Sequence, residues 1–256
     1  MKFYLRNTLL EKHDMKRKFE LLAIVLIVIC FVACKKEKQP AEGIGSKTTT
    51  DGAISGVNAQ WPQNSNIKIA FLNGTQEQQD YVKEAVKVWQ DQINVSLVFQ
   101  NSLGGSDVRI SFDSSTGSGW SYVGYKDNKG IKDTLKATMA LFKTLGSKEK
   151  NGEPVGTYHL ATVRHEFGHM LGLIHEQLRA DSDVKWNDQL NIGGRPIDST
   201  SFAQYIKSPY DKKSIMHYSV SAKYTKDSIA IPGYLYDLKG ELSQTDKDFI
   251  SSIYPR

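Results

Sequence analysis

The apolar positions of this chain change period several times, and each change predicts a different element. Residues 21–33 form one unbroken apolar run. Further on, Ile67-Lys68-Ile69-Ala70-Phe71 alternates with the two-residue period of a half-buried strand. Val95 to Phe99, Val108 to Phe112 and Thr138 to Phe142 read as further strands. Thr75 and Gln78 stand at capping-box spacing, and Tyr81, Val82, Ala85, Val88 and Trp89 follow as one helix face. A second helix is expected from near Thr157 to Gly172. A last one, capped by Ser243 and Asp246, carries Phe249, Ile250 and Ile253. Strands first, then a helix, then an irregular half closed by a final helix is the order of an α+β domain. No internal repeat interrupts it, so residues 53–256 read as one domain.

The second helix carries the chemistry. Residues 165–176 run His-Glu-Phe-Gly-His-Met-Leu-Gly-Leu-Ile-His-Glu. On a helix, His165 and His169 lie one turn apart on the same face, so both imidazoles reach one metal ion. Glu166 sits beside the first of them and can act on metal-bound water without coordinating the metal. Gly172 falls where the helix must stop if the chain is to double back, and a left-handed glycine allows that reversal at little steric cost. The reversal brings His175 round as a third ligand. Three neutral nitrogens leave a coordination position open, which suits one catalytic Zn2+ rather than a structural one. Six fixed positions would arise by chance in a chain this long with probability on the order of 10⁻⁶ to 10⁻⁵. A plain amphipathic core helix explains Phe167, Met170, Leu171 and Leu173, but gives no reason for a glycine and a third histidine at these offsets.

Ser214-Ile215-Met216-His217-Tyr218 follows about forty residues downstream, at the distance expected of a methionine turn beneath the metal. Together, His165 through Glu176, Arg179-Ala180-Asp181 and this pentapeptide make the chain resemble the astacin-like metalloendopeptidases, a branch of the metzincins. The resemblance implies a zincin fold: a mixed sheet and active-site helix in an N-terminal half, an irregular C-terminal half, and a cleft between them. It implies that His165, His169 and His175 bind zinc and that Glu166 is the general base in peptide-bond hydrolysis by metal-activated water. Met216 would form the floor under the histidines. Tyr218 would ligate zinc at rest and swing away to stabilise the oxyanion, and Glu176 would be a buried acid that contacts the mature amino terminus. Protein or peptide substrates follow from the same resemblance.

The chain departs from the family pattern in places. Ser182 stands where arginine is usual, and Gly119 precedes the recognisable Trp120 to Gly124 segment where a cysteine is common. Arg179 and Asp181 read as a structural ion pair worth ~0–1 kcal/mol if exposed. Trp61 and Trp120 read as core.

The apolar run at 21–33 is about thirteen residues, short for a membrane span and right for the core of a signal peptide. It follows the basic cluster Lys16-Arg17-Lys18 and ends at Phe31-Val32-Ala33-Cys34, which looks like a bacterial lipoprotein processing site with Cys34 as the lipidated residue. Met15 is an alternative start. Residues 1–34 are therefore expected to be a lipoprotein-type leader, and 35–52 a polar tether or short propeptide. The protein is expected to be exported and held at the bacterial cell envelope by the lipid, or otherwise secreted. Both cysteines, Cys30 and Cys34, lie in the leader, leaving the domain without a disulfide.

The formal charge of +5 does not indicate a nucleic-acid partner. Residues 1–38 hold nine Lys/Arg against four Asp/Glu, which is the whole excess, and the remainder carries 24 of each. A serralysin-type protease is disfavoured by Glu176 and by the absence of glycine-aspartate calcium repeats. The competing functional reading is a non-catalytic surface-binding lipoprotein on a zincin scaffold, which has no use for Glu166.

Overall fold

The computed structural model describes residues 54–55, 59–114, 119–143, 145, 156–187, 205–233 and 240–256. The expected leader with Cys34 and the tether at 35–52 lie outside them. Among the described residues no helix is long and apolar enough to cross a membrane.

Five strands form the main sheet: β2 (Asn66–Phe71), β3 (Ser96–Gln100), β4 (Val108–Ser114), β5 (Trp120–Ser121) and β6 (Met139–Phe142), in the order β3-β2-β4-β6-β5. All neighbours are parallel except β5, which runs antiparallel to β6 at the edge. This is the mixed sheet expected, with strand ends displaced by one or two residues. In β2 the predicted alternation holds from Asn66 to Ile69, with Ile67 and Ile69 buried and Asn66 and Lys68 exposed, and ends at Ala70, which is buried as well. β4 lies between two strands and is buried from Val108 to Phe112, Arg109 and Ser111 included. The Arg109 guanidinium is accommodated because it donates to the carbonyls of Lys136, Ser106 and Ile131. A separate antiparallel pair joins β1 (Ile54–Ser55) to β7 (Ile206–Lys207).

The first predicted helix is present but divided. α1 (Gln76–Ala85) starts at the expected Thr75–Gln78 capping box, and α2 (Lys87–Gln90) follows after Val86. Ala85 ends α1 for an identifiable reason. The Trp89 N–H bonds to the Val86 carbonyl at 3.0 Å, leaving the Ala85 carbonyl to accept Arg164 Nε at 3.1 Å. Trp89 is buried and returns a bond from Nε1 to the Arg164 carbonyl at 2.9 Å. The break therefore fastens α1 and α2 to the next long helix.

A short helix, α3 (Gly124–Gly130), has no signature in the apolar pattern. α4 (Gly156–Met170) is the predicted site helix and packs against α1, α3, β5 and β6. α5 (Gln244–Ile253) opens at the predicted capping box of Ser243 with Asp246 and buries Phe249, Ile250 and Ile253. Two 3-10 turns, Glu176–Leu178 and Ala222–Tyr224, are the regular structure between α4 and α5 apart from β7, among the described residues.

The end of α4 is held from both ends of the domain. Trp61 Nε1 donates to the Met170 carbonyl at 2.8 Å, and the Tyr254 hydroxyl donates to the Leu171 carbonyl at 2.7 Å. These carbonyls have no partner within the helix, so the two side chains act as its C-terminal cap. Trp61 is core, as expected. Trp120 is not: it is half-exposed on the edge strand, its ring set edge-on to Tyr122. A two-residue edge strand has no sheet neighbour on its outer side to cover such a ring.

Candidate metal centre

α4 ends in a Schellman motif. Leu173 N–H bonds to the Gly168 carbonyl at 2.9 Å and Gly172 N–H to the His169 carbonyl at 2.8 Å, with Gly172 at φ +101°. The predicted reversal is therefore present at the predicted glycine. It returns the chain so that His175 faces His165 and His169. The Nε2 atom of His175 stands 3.3 Å from that of His165 and 3.0 Å from that of His169. These three buried side chains form the described cluster able to hold a metal ion.

The hydrogen bonds behind the rings explain the convergence. His165 Nδ1 donates to the Ile215 carbonyl and His169 Nδ1 to the Leu173 carbonyl, each at 2.8 Å. A carbonyl only accepts, so both Nδ1 atoms carry the proton and both Nε2 atoms present bare lone pairs. Two such lone pairs converge on a third imidazole nitrogen that can offer at most one proton, so a cation between the three satisfies them better than the rings satisfy one another. Nitrogens held ~2.0–2.1 Å from one tetrahedral ion lie roughly 3.4 Å apart, close to the spacing found. The donor set fits zinc. Burial, then the charge of His169 and His175, holds His165 well below the ordinary imidazole range, and burial pulls His169 down to about 4. Neutral imidazole is the form that binds a metal.

Glu166 is buried one residue beyond the first histidine. Its Oε2 has no hydrogen-bond partner, and burial pushes its carboxyl well above the usual range. Gly119, just before β5, lies against it: a Cβ there would stand 2.8 Å from Glu166 Oε1 and 2.9 Å from Thr162 Cγ2. The departure from cysteine noted above thus occurs where a side chain would press on the carboxylate.

The segment 214–218 forms a tight turn, with His217 N–H bonded to the Ser214 carbonyl at 3.0 Å. The Met216 carbonyl accepts Glu176 N–H at 3.1 Å, which ties the turn to the residue following His175. Met216 packs on α4 at Gly168, where a Cβ would lie 2.4 Å from its Sδ. The sequence reading does not single out Gly168, although a glycine in the middle of a helix costs ~1 kcal/mol relative to alanine and is a legible signal of close approach.

The half-buried Tyr218 ring stacks over the histidines, its centroid 4.3 Å from that of His175 and 5.2 Å from that of His165. Its backbone is held on both sides: Gln177 Oε1 accepts its N–H at 3.0 Å and His217 Nδ1 donates to its carbonyl at 2.7 Å. Gln177 has no sequence signal of this role. His217 is a framework residue whose Nε2 lies 2.8 Å from the Tyr210 hydroxyl, and burial pulls its pKa down to about 4.

The expected ion pair of Arg179 with Asp181 is present, with Asp181 half-exposed. Arg179 also makes a pair that was not expected, with Glu176, and that one is buried, both side chains at 0% exposure. Arg179 Nη1 donates to Glu176 Oε1 at 2.9 Å, its Nε and Nη2 grip Asp181, and Nη2 also donates to the Ser208 carbonyl. Glu176 Oε1 accepts the Asp211 N–H as well. Desolvation pulls the guanidinium down, but Asp181 and Glu176 outweigh it and hold it above its ordinary value. Burial pushes the Glu176 carboxyl up, with Arg179 the main opposing influence. Among the described residues the Glu176 carboxylate thus meets an arginine three residues on, besides one backbone amide.

Comparison with known proteins agrees with this geometry. Residues 154–247 match the family model of the Astacin peptidases. The chain is 43% identical over 70 residues to mouse (Mus musculus) meprin A subunit beta, a stretch covering 25% of this chain and 10% of that protein. It is 32% identical over 95 residues to high choriolytic enzyme 1 of Oryzias latipes, covering 33% of each. The chain therefore spans a third or less of the length of these curated relatives. Among solved structures, myroilysin superposes with a TM-score of 0.63 at 27% identity, covering 79% of this chain and 98% of that one.

Proposed function

From an astacin-like segment set in a fold shared with myroilysin, we propose that the protein is a zinc-dependent endopeptidase. The observation that carries this reading is the convergence of three buried imidazoles, two of them with Nδ1 protons committed to carbonyls, with an unpartnered buried carboxylate oxygen one residue from the first. His165, His169 and His175 would hold the zinc ion. When bound, zinc polarises a carbonyl and brings the pKa of bound water to roughly 7.

The remaining work falls to the chain's own groups. Glu166 Oε2, with no competing hydrogen bond, takes the proton of the attacking water and passes it to the departing amine, so that water is added across the peptide C–N bond. The Tyr218 hydroxyl, pivoting on a backbone clamped by Gln177 and His217, would rest near the histidines and donate to the developing oxyanion. Met216 supports the histidines from beneath. The fit of Gly119 against Glu166 limits where the base can stand.

The domain is proposed to occupy residues 53–256, behind a lipoprotein-type leader (1–34) and tether (35–52). Lipidation of Cys34 would hold the enzyme at the bacterial envelope, facing protein substrates outside the cytoplasm.

Incubating the full chain with a denatured protein, with and without a chelator, tests the reading. Cleavage is expected, lost on chelation and restored by zinc. Glu166→Ala should keep zinc and lose cleavage, and Tyr218→Phe should keep zinc with a reduced kcat at similar KM. Zinc-loaded protein that cleaves nothing would return the scaffold to a binding role. Full activity in Glu166→Ala would remove that residue as the base.

A further inference from the structure

Asp246 is a buried carboxylate in the first turn of α5, 5% exposed. As half of the capping box it accepts the Ser243 N–H at 3.1 Å through Oδ2. A capping carboxylate needs no more than that, and ordinarily makes it in water. Here the same Oδ2 also accepts the Ile215 N–H at 2.9 Å, and Oδ1 accepts the Ser214 hydroxyl at 2.6 Å. The direction of the last bond is fixed, because Ser214 Oγ itself accepts the Met216 N–H at 3.0 Å and so turns its proton outward. Each of these three groups facing the carboxylate is a donor.

Ile215 is the junction. Its N–H is held by Asp246, and its carbonyl accepts His165 Nδ1 at 2.8 Å. The conformation of that one residue therefore decides where the acceptor for His165 stands. We propose that Asp246 is a positioning residue of the metal centre, fixing the turn at Ser214 and Ile215 so that the Ile215 carbonyl holds His165 in its δ-protonated form with Nε2 aimed at the ion. The inference rests on the zinc reading of the three histidines.

The chemistry of the pocket says which substitution is informative. Asp246→Asn keeps size and one acceptor oxygen but presents an NH₂ group either to two backbone N–H groups or to the Ser214 hydroxyl. Donor then meets donor, and the turn must shift. Outer-shell partners of ligating histidines typically change metal affinity 10–100-fold when mutated. A purely structural role, as helix cap, would be matched by Ser243→Ala, which removes the cap hydroxyl but leaves the contacts to Ser214 and Ile215.

The test is zinc affinity of the full chain, measured by competition with a chromophoric chelator, together with the His165 tautomer read by nitrogen-15 NMR in the zinc-free protein. Asp246→Asn is expected to lose roughly 10–100-fold in affinity and to lose the δ-tautomer signature of His165. Ser243→Ala should stay within about twofold of the parent while melting at a lower temperature, as loss of a helix cap requires. Should Asp246→Asn not fold, Ser214→Ala decides, and a several-fold loss of affinity is expected of it. Parent-like affinity in the folded Asp246 or Ser214 variant, or an equal loss in Ser243→Ala, overturns the positioning role. A parent that binds no zinc would be a different failure, that of the metal reading itself.

Discussion

Replacing Arg179 by methionine tests whether its pair with Glu176 behaves as an exposed or as a buried one. If the pair were exposed, its loss would cost ~0–1 kcal/mol. The structure shows both side chains at 0% exposure, and among the described residues Glu176 keeps the Asp211 amide alone once the guanidinium is gone. Removing one member of a buried pair costs ~3–5 kcal/mol while the other stays charged. Burial already holds the Glu176 carboxyl at about 8 beside the arginine, so uptake of a proton caps the cost at ~3 kcal/mol at pH 7. Methionine fills much of the arginine stem's volume, so little of the cost comes from a cavity. The bonds to Asp181 and to the Ser208 carbonyl are lost as well, loosening the segment after His175 from the strand-side loop. For a domain near two hundred residues, with ~2–4 °C per kcal/mol, the melting temperature should fall by roughly 6–12 °C. The assay is urea unfolding with a parallel thermal melt, run zinc-free so that metal affinity does not enter. The double variant Glu176→Gln/Arg179→Met removes the carboxyl and with it the cost of that proton uptake, and should cost less than Arg179→Met alone. A single-variant cost below about 1 kcal/mol, or a double-variant cost equal to the sum of the two singles, refutes the buried-pair argument.

Two further outcomes follow from the same packing. Gly168→Ala gains ~1 kcal/mol of helix propensity, but its Cβ would meet Met216 Sδ at 2.4 Å. Overpacking of that kind costs ~1–3 kcal/mol, so a net loss of up to ~2 kcal/mol is expected by thermal melting, and a variant as stable as the parent would refute the contact. His217 is buried neutral with a folded pKa of about 4 against an ordinary 6.5. A base depressed on folding contributes stability that is complete above the unfolded pKa and declines as pH falls from 6.5 toward 4, by at most ~3 kcal/mol. His217→Asn, which retains a donor for the Tyr218 carbonyl, should flatten that decline in urea titrations of the zinc-free protein, and superimposable slopes would count against it.

How much of this was legible in the chain depends on how local each feature is. The capping boxes at Thr75 and Ser243, the strand at Ile67 and the reversal at Gly172 are written within four or five residues, and they stand where the pattern puts them. The three histidines are legible for the same reason: one helical turn and one glycine bring them together. What the pattern misses are partners supplied across the chain. The division of the first helix at Val86 depends on Arg164, 79 residues from Ala85. The burial of Arg179 depends on Ser208 and Asp211, in a segment without apolar periodicity. Gly168 carries a signal, being a poor helix residue between two of the clustered histidines, but its cause is Met216, about fifty residues downstream.

The same distinction explains how an irregular half of the domain can serve a site that needs fixed geometry. Between Leu178 and α5 the described chain has little regular structure to hold a methionine turn in register with a helix. It is held instead by single polar contacts, each made to a rigid element. Glu176 N–H from the third-histidine segment grips the Met216 carbonyl, Asp246 from the first turn of α5 grips Ser214 and Ile215, and His165 on α4 closes the circuit at the Ile215 carbonyl. The turn is thus fastened to both helices that flank it in sequence, at three successive residues. Each of these bonds is buried, and an unmade buried bond costs ~1–3 kcal/mol. Sliding the turn by one residue would break all three attachments together, and that shared penalty, more than the conformational preference of the loop, keeps Met216 against Gly168.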